Sequence, residues 1–456
     1  MISYIIDLYK KMSVRFKLSD INEKQQNKLE KYLTFTPKKS FNAFNKFSTD
    51  NVESIRMFYF KDGIIHLPFY FSNVYYKKVF NQTKEYPTIF DKRAGKFKGK
   101  LLSRQIEPFK NAIEHLKEYR TTTIALYPGF GKTFLGVMLS WYFNLKTCVL
   151  VHRDNVGVGW LKTYKNCFDI DEKEITWVDE KGRYNPDAKI FVVMDTRVKK
   201  LDPKIIREIG LLIIDEAHLF CSKSRIEPLL SFNPKYIIAE TATPTRSDGM
   251  HTMIQSICGT HYIEKISDKP YNFYLIQTNL DFPIMEGTKT IFNDLLNGQF
   301  DSEIRNELIV NLLENNKDKK AIIITKFKNH CKHLKSLIEE RGMESSELYG
   351  NIKKYEPKNI LIGTGSKMGV GFDEANFCDD FDGRPSDLLI ITYSFKGMST
   401  FEQIRGRGMR AENPNVVMFT DNNPITKRHF GTIKNWVKKT KGTIHLLNLK
   451  DMQYKL

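Results

Sequence analysis

The sequence has few cysteines and no long apolar run. Its six cysteines are scattered singly among 456 residues, without a CxxC pair or histidines at zinc-finger spacing, which argues against disulfides and structural zinc. No apolar run approaches the roughly 20 residues of a membrane span, and the opening stretch MISYIIDLYKKMSV is interrupted by Asp7 and two lysines. We therefore expect a soluble intracellular protein without a signal peptide.

Acidic residues are scarce at both ends of the chain. Residues 1–100 contain 17 Lys and 3 Arg against 9 acidic residues, a net charge of +11, and residues 425–456 contain 8 basic residues against one acid, a net +7. Because the whole chain carries +18, the stretch between these ends is neutral. Two basic ends predict binding of a polyanion, with an affinity that falls as salt rises. A merely soluble, lysine-rich surface is the alternative.

Short apolar runs alternate with helical patterns from about residue 120 onward. This alternation predicts parallel sheets built from strand–helix–strand units. The runs form two sets, separated by a polar and irregular stretch at 266–293 that we interpret as a linker. Two tandem α/β domains follow from this division. The candidate strands are TTIAL, TCVLVH, KIFVVMD, GLLIIDE and KYIIAET in the first set, and KAIIITK, NILIGT, DLLIITY and NVVMFT in the second.

The N-terminal region differs from the rest of the chain. Its first hundred residues contain 20 Phe or Tyr, in stretches such as IRMFYF and IIHLPFYF, and predict a small α+β domain. Aromatics interleaved with lysines are also suited to stacking on exposed bases, although a β core explains most of them. The predicted organisation is a basic, aromatic-rich domain at 1–98, an α/β domain at 99–265, a linker at 266–293, and a second α/β domain with a basic tail at 294–456.

The stretch ALYPGFGKT lies between a predicted strand and a predicted helix. A phosphate loop needs glycines where the backbone approaches the phosphates, a lysine for the β- and γ-phosphates and a hydroxyl for Mg²⁺. Gly129 and Gly131 supply the close approach, and Lys132 and Thr133 supply the charge and the hydroxyl. Leu126 stands where the general pattern GxxxxGK[ST] has glycine, but the end of a strand allows that side chain to point into the core.

Two further motifs follow predicted strands. LLIIDEAH brings Asp215, Glu216 and His218 to the carboxyl end of a strand, where open α/β folds bind ligands. Mg²⁺ needs a carboxylate, and hydrolysis needs a group that orients the attacking water, which suits Asp215 and Glu216 in that order. In AETATPTR, the hydroxyls of Thr241 and Thr243 are candidates to relay the nucleotide state by hydrogen bonds to His218.

The second domain contributes an arginine-rich motif, QIRGRGMR. If its start is helical, Gln403, Arg407 and Arg410 share one face at i, i+4 and i+7. Arginines delivered from a neighbouring domain onto a γ-phosphate stabilise the charge that develops in the transition state, an effect of about 10³–10⁵ in rate. A basic, solvated helix is the default alternative for such a string.

PGFGKT, DEAH, TAT and QIRGRGMR, in this order over two α/β domains, resemble the motifs of superfamily 2 helicases, here of the DEAH-bearing branch. Other stretches are similar to the family's remaining motifs. LLSRQIEPF resembles the glutamine motif, with Gln105 as adenine reader, and VLVHR resembles motif Ia, with Arg153. AIIITKF resembles motif IV, and GTGSKMGVGFD resembles motif V, with Thr364, Gly371 and Asp373.

The resemblance covers about residues 100–420 and is strongest to the poxvirus-type transcript-release helicases and their XPB and UvsW-like relatives. It implies two RecA-like domains, ATP and Mg²⁺ as cofactors, and ATP-driven movement along nucleic acid coupled to domain closure. DNA or a DNA–RNA hybrid is the favoured substrate, in transcription, repair or recombination, and RNA is the alternative. We expect a monomer, acting with transcription or replication machinery and without a membrane partner. The Lys/Asn/Ile-rich composition favours a large DNA virus or a cytoplasmic element, and a viral protein would lie in the host cytoplasm or the virion.

Two other function classes stay open on the sequence alone. The same ATP-hydrolysing domains drive protein-translocating ATPases, but those proteins are usually longer and acidic, whereas both ends of this chain are basic. A catalytically silent binding module is disfavoured by the intact Lys132, Asp215 and Glu216 and by the two arginines 407 and 410. Indifference of ATP hydrolysis to DNA and RNA would favour the first class, and measurable hydrolysis would exclude the second.

Overall fold

Runs of isoleucine, leucine and valine form the strands of two parallel sheets in the computed structural model of the chain. All nine candidate strands are present, and their residues are almost all buried, as expected where helices cover both faces of a sheet. The chain divides into two units, residues 1–126 with 130–265 and residues 127–129 with 266–456. The predicted α/β class, with two tandem parallel sheets and a small N-terminal part, is confirmed. The structure describes residues 14–37, 54–75, 85–90, 97–246, 248–267, 269–282, 291–369, 372, 374–395, 397–408, 411–449 and 455–456.

A small antiparallel part precedes the first parallel sheet. Its elements are β1 (Val14–Lys17), α1 (Glu23–Leu33), β2 (Thr34–Phe35), β3 (Ile55–Arg56), β4 (Tyr59–Lys61), β5 (Ile64–Leu67) and α2 (Phe69–Tyr75). β5 pairs with β1 and β4, and β2 pairs with β3. Apolar residues such as Leu29, Leu33 and Met57 belong to the same hydrophobic cluster as residues of the first parallel sheet. This part therefore shares a core with the first unit, since such short strands bury too little surface alone.

The N-terminal aromatics divide between this core and the surface. Phe16, Phe58 and Phe69 are buried in the shared cluster, the β-core role expected for most of them. Tyr32 and Phe60 keep 46% and 47% of their surface exposed. Base stacking by exposed aromatics stays a prediction.

Seven parallel strands form the sheet of the first unit. Its elements are α3 (Ser103–Tyr119), β6 (Thr121–Leu126), α4 (Lys132–Phe143), β7 (Thr147–Val151), α5 (Asp154–Cys167), β8 (Ile175–Trp177), β9 (Ile190–Met194), α6 (Pro203–Glu208), β10 (Leu211–Ile214), α7 (Lys223–Leu229), β11 (Tyr236–Thr241), α8 (Thr252–Cys258) and β12 (Tyr262–Lys265). The strand order is β12-β6-β11-β10-β7-β9-β8. Because β6, β11 and β10 are parallel neighbours, the segments that follow them meet at one carboxyl edge. The GKT, TAT and DEAH motifs all lie there.

A second seven-stranded parallel sheet forms the other unit. Its elements are β13 (Tyr271–Gln277), α9 (Ile291–Asp301), α10 (Glu303–Glu314), β14 (Ala321–Thr325), α11 (Lys328–Glu340), β15 (Ser345–Leu348), β16 (Ile360–Thr364), α12 (Gly365–Met368), α13 (Glu374–Phe377), β17 (Leu388–Ile391), α14 (Met398–Gly408), β18 (Asn415–Thr420), α15 (Pro424–Lys439) and β19 (Gly442–Asn448). The strand order is β15-β16-β14-β17-β18-β13-β19. In the described ranges, none of the helices of the protein is long and apolar enough to cross a membrane.

Two strands of this second sheet lie in the predicted linker and in the predicted basic tail. The predicted linker, 266–293, contains β13, which lies between β18 and β19, and the predicted basic tail contains α15 and β19. The irregular interpretation is wrong for YNFYLIQ, because Phe273 and Leu275 are buried while the intervening Asn272 and Tyr274 are half-buried. Because polar residues occupy some of the half-buried positions, the segment has no continuous apolar run that would indicate a strand.

A buried polar network joins two helices to the second sheet. Asp421 directly follows β18 and accepts hydrogen bonds from Arg305 of α10 at 2.5 Å, from Gln299 of α9 at 2.7 Å and from the Thr278 hydroxyl at 2.6 Å. A second guanidinium nitrogen of Arg305 donates to the Thr392 carbonyl oxygen at 2.7 Å. Arg305 and Asp421 are almost fully buried. Burial of such a charge pair is tolerated only because each partner is matched and hydrogen-bonded.

Candidate functional site

The phosphate-loop motif forms a turn between β6 and α4. Gly129 and Gly131 adopt positive φ angles of 82° and 100°, a conformation that favours glycine. Lys132 begins α4, and its Nζ donates to the backbone carbonyl oxygen of Leu126 at 2.9 Å. The Leu126 side chain is fully buried at the end of β6. The missing glycine of the general pattern is therefore accommodated by the core, as predicted. Thr133 occupies the next position of α4, half-buried.

Gln105, the predicted adenine reader, contacts the phosphate loop. Its side chain is buried, its Nε2 donates to the Phe130 carbonyl oxygen at 3.1 Å, and its Oε1 accepts from the Leu102 backbone N–H at 2.9 Å. A Cβ at Gly131 would clash with Gln105 Nε2. Both ends of the amide are thus engaged by the backbone, and the side chain fixes the position of the loop in this structure.

This contact predicts unequal effects of alanine at the two loop glycines. Both Gly129→Ala and Gly131→Ala strain a positive-φ position, at a cost of about 1–3 kcal/mol. Only Gly131→Ala also forces the Gln105 amide to move away from the Phe130 carbonyl oxygen, and loss of that hydrogen bond adds about 0.5–1.5 kcal/mol. We expect the free energy of unfolding, measured by urea denaturation, to fall further in Gly131→Ala. Adding Gln105→Ala should remove the clash component of that difference. Equal losses at Gly129 and Gly131 would show that the contact has no energetic weight.

Asp215 lies at the carboxyl end of β10 in a buried, hydrogen-bonded position. Its backbone N–H donates to the Leu150 carbonyl oxygen of β7 at 2.9 Å, and its Oδ2 accepts from the Trp160 indole Nε1 at 2.7 Å. Burial raises the pKa of Asp215 to about 6, and the Glu216 carboxylate adds to the increase. The Trp160 indole and the Lys132 ammonium oppose it. A second cation close to this carboxylate would favour its ionised form.

Glu216 is held in a left-handed backbone conformation, with a φ of 49°. Its Oε2 lies 3.4 Å from His218 Nδ1, and this buried oxygen has no hydrogen-bond partner among the described residues. An unusual backbone conformation at a non-glycine residue stores strain, typically about 1–3 kcal/mol, that the surrounding structure must offset. The strained turn presents the carboxylate immediately beside Asp215, at the carboxyl edge of the sheet.

His218 connects the DEAH and TAT motifs. Its Nδ1 lies 2.9 Å from the Thr241 hydroxyl, and the Thr243 backbone N–H donates to the same hydroxyl at 3.0 Å. Burial lowers the pKa of His218 to about 4, and the charges of Arg246 and Lys132 contribute, so the imidazole is neutral near pH 7. The contact that the sequence predicts between His218 and a threonine of the TAT motif is present. Its relay role stays a prediction.

Glu240 is a buried carboxyl group to which none of the sequence motifs assigns a role. It precedes Thr241 in β11 and is fully buried, and neither carboxyl oxygen has a hydrogen-bond partner within the described ranges. A Cβ at Gly136 of α4 would lie 2.7 Å from Glu240 Oε1. Burial, with Asp215 close by, raises the pKa of Glu240 well above its usual range, and Lys132 opposes the increase. Glu240 differs from an ordinary surface glutamate in being buried. Its burial depends on the assembled sheet, so the local sequence does not show it.

Arg153 of the motif Ia resemblance lies between β7 and α5, where it occupies the position preceding the helix. The side chain is half-buried. Burial and the like charge of Arg225 lower the pKa of the Arg153 guanidinium, while the Glu216 carboxylate raises it. Arg153 is therefore electrostatically linked to the acidic motif, beside the carboxyl end of β7.

The motif residues of the second unit are described only in part. Thr364 ends β16, is buried, and its hydroxyl lies 3.2 Å from the Ser366 hydroxyl. Gln403 lies on α14, half-buried, and Arg407 follows it one turn later on the same helix. The side chain of Arg407 lies outside the described part of the structure, as do Gly371, Asp373 and Arg410 entirely.

The helix α14 also contains an arginine with a structural role. Arg405 is buried and pairs with Glu402, donating from Nε at 2.9 Å and from Nη2 at 2.8 Å. Its guanidinium carbon lies 4.9 Å from the centre of the Tyr271 ring. Of the arginines in QIRGRGMR, Arg405 is therefore committed to the interior of the second unit.

A family model and several viral proteins match the chain. The model for the type III restriction enzyme res subunit (ResIII) matches residues 98–246. Putative helicase 161L of Invertebrate iridescent virus 6 is 26% identical over 381 residues, covering 76% of this chain and 83% of that protein. Putative helicase 055L of Frog virus 3 is 26% identical over 277 residues. The chain spans 63% of this second relative, less than two thirds of its length.

Solved structures share the fold at low sequence identity. Dbp5 of S. cerevisiae, bound to RNA and ADP BeF3, superposes with a TM-score of 0.55 at 13% identity, over 75% of this chain and 90% of that one. The fragment of a putative HsdR subunit of a type I restriction enzyme from Vibrio vulnificus YJ016 gives 0.53 at 15% identity, over 75% and 67%. Both likenesses support a tandem RecA-like fold.

Proposed function

We propose that this chain is an ATP-driven motor that acts on nucleic acid. Its matches to known proteins support a helicase of superfamily 2, of the ResIII-like type. The observation that carries the proposal is the arrangement in the first unit. A lysine with a glycine turn, an acidic pair and a histidine–threonine contact lie at the carboxyl ends of three adjacent parallel strands. Open α/β sheets bind their ligands at this edge.

The chemistry of these side chains fits a nucleoside triphosphate with Mg²⁺. Lys132 would contact the β- and γ-phosphates, and the Thr133 hydroxyl and the Asp215 carboxylate are hard oxygen ligands of the kind Mg²⁺ prefers. When bound, Mg²⁺ neutralises charge on the phosphates. Glu216, with one buried carboxyl oxygen that lacks a partner among the described residues, would orient the attacking water. Trp160 would hold the Asp215 carboxylate in place through its indole hydrogen bond.

Coupling to nucleic acid is assigned to the remaining motifs. His218 and Thr241, with Thr243, would transmit the state of the nucleotide through the hydrogen bonds described above. Further roles follow the family resemblance. Arg153 and Thr364 would contact nucleic acid, Gln105 would sense the adenine, and Asp373 would contribute to the nucleotide site. Gln403, Arg407 and Arg410 would complete the hydrolytic site from the second unit. A DEAH-type motor of the poxvirus, XPB and UvsW-like group, with DNA or a DNA–RNA hybrid favoured over RNA, is the specific form that we propose.

ATP hydrolysis measured with different polynucleotides tests this proposal. We expect slow hydrolysis alone and strong stimulation by single-stranded DNA, double-stranded DNA or a DNA–RNA hybrid, decreasing between two salt concentrations because phosphate contacts release counterions. Stronger stimulation by RNA than by DNA would make RNA the favoured substrate. Hydrolysis that is indifferent to every polynucleotide would contradict the proposal and favour a motor acting on protein.

A further inference from the structure

A basic groove lies on one face of α15 in the second unit. It has a volume of about 620 Å³ and is lined by Arg428, Gly431, Thr432, Asn435, Trp436 and Lys439, together called the α15 groove. Their spacing of i, i+3, i+4, i+7, i+8 and i+11 places them on one side of the helix. Thr426, Ile433 and Val437 are buried on the other. The groove therefore belongs to the exposed side of a helix that is anchored by its opposite face.

Charge of one sign dominates this helix and its end. Residues 424–441 contain six Lys or Arg and no acidic residue. In the part of the chain that the structure describes, neither Arg428, Lys434 nor Lys439 takes part in an ion pair. A solvated helix commonly carries both signs, with Glu–Lys pairs at i, i+4 that stabilise it. The absence of acidic residues from this helix, with the neighbouring Glu402 paired to Arg405, leaves a positive surface suited to a polyanion.

The helix dipole accounts for only some of these charges. Lys438 and Lys439 lie in the last turn of α15, where cations are stabilised by the carboxyl end of a helix. Lys427 and Arg428 lie near the amino end, where a positive charge gains nothing from the dipole. The positions of Lys427 and Arg428 are therefore better explained by binding of an anionic ligand than by stabilisation of the helix.

An aromatic ring forms the wall of the groove beside these cations. Trp436 is half-buried, its indole Nε1 donates to Glu402 Oε1, and the Lys439 ammonium lies 5.0 Å from its ring centre. The hydrogen bond fixes the ring, so it offers a rigid apolar surface next to cationic groups. Aromatic rings beside a positive groove are the recurring means of holding single-stranded nucleic acid.

We propose that the α15 groove binds a single strand of nucleic acid, with Arg428 and Lys439 on phosphates and the Trp436 ring against a base or sugar. This inference rests on the proposed function, since it names a contact for the same nucleic acid outside the helicase motifs. The two cations are 11 residues apart along the helix, about 16 Å, which spans more than one nucleotide. A flat ring beside the charges favours a nucleic acid over an acidic peptide or an anionic lipid surface.

Binding of a fluorescein-labelled oligo(dT) to the full chain tests this inference by anisotropy, without ATP. The double variant Arg428→Gln/Lys439→Gln is expected to bind about tenfold more weakly in moderate salt. Its plot of log affinity against log salt should be shallower by about 1.4, since each lost phosphate contact on a single strand contributes about 0.7 to the slope. ATP hydrolysis without polynucleotide should be unchanged, because neither residue belongs to the proposed nucleotide site.

A matched variant separates the groove from net charge. Lys317→Gln/Lys332→Gln removes the same charge from two exposed positions of the second unit outside the groove, and should leave affinity and salt slope unchanged. Unaltered oligo(dT) binding in the groove variant, or an equal loss in the matched one, would overturn the inference. Binding of polyglutamate or phosphatidylserine vesicles through Arg428 and Lys439, with oligo(dT) binding unaffected, would also overturn it. If polynucleotides fail to stimulate hydrolysis, the proposed function fails, while this titration still decides the groove.

Discussion

Replacing Lys132 with alanine is expected to lower ATP turnover at least about 10²–10³-fold, the effect of removing one positioned electrostatic contact from a catalytic site. Lys132 is the first residue of the helix that follows the glycine turn, so the variant loses the cation proposed to contact the β- and γ-phosphates. It also loses the charge that opposes the high pKa values of Asp215 and Glu240. The measurement is steady-state phosphate release at saturating polynucleotide.

A lysine on a neighbouring helix provides the control for this variant. Lys162 is exposed on α5 of the same unit, and Lys162→Ala should retain turnover within about twofold. Urea denaturation of both variants checks that each is folded, so that a loss of turnover in Lys132→Ala reflects the missing ammonium group. Turnover in Lys132→Ala close to that of the unchanged protein would remove the basis for a phosphate loop.

The Asp421→Asn variant is expected to lower the free energy of unfolding of the second unit by about 3–5 kcal/mol, the usual cost of removing one partner of a buried ion pair. The substitution leaves the Arg305 guanidinium, 1% exposed, without a compensating charge. It also weakens the connection of α9 and α10 to the carboxyl end of β18. Urea denaturation, with hydrogen exchange in β17 and β18 as the local probe, measures the loss.

Two further variants isolate the cause of that loss. Asp379 forms an ion pair with Lys354 in which both side chains are more than half exposed, so Asp379→Asn should cost less than about 1 kcal/mol. The double variant Arg305→Met/Asp421→Leu removes both buried charges and should lose less than Asp421→Asn, because no unpaired ion is left. If Asp421→Asn matched the exposed control, the network would not contribute measurably to stability.

Local sequence pattern predicts much of this fold, because parallel strands buried on both faces are nearly continuous apolar runs. The run LLII before Asp215 is fully buried, as its composition requires. The local pattern does not predict β13, in which the half-buried Asn272 and Tyr274 alternate with buried residues. The local pattern also fails to predict β19, which among the described strands pairs with β13 at the edge of the sheet and has half-exposed positions. Both strands depend on pairing with distant partners, which a local pattern does not contain.

The parts of the candidate site that are formed by adjacent residues could be predicted from the sequence. The GKT turn and the DEAH strand end specify residue types that phosphate and Mg²⁺ require, and their meeting at one edge follows from parallel strand order. The Trp160 indole on Asp215 and the buried Glu240 were not predictable, since each depends on helix packing against the sheet. Gln105 was predicted to read adenine, which stays a prediction, and the contact of its amide with the loop backbone was not foreseen.

The Glu216→Gln variant tests the central claim most directly, through its ATP affinity and its rate of ATP hydrolysis measured in the same preparation. Glutamine preserves the shape of the side chain but removes the charge proposed to orient water. We predict ATP affinity within a few-fold of the unchanged protein and hydrolysis slower by about 10²–10⁴-fold, the range for loss of a positioned acid–base group. Hydrolysis at an undiminished rate would contradict the assignment of this carboxylate, and with it the motor.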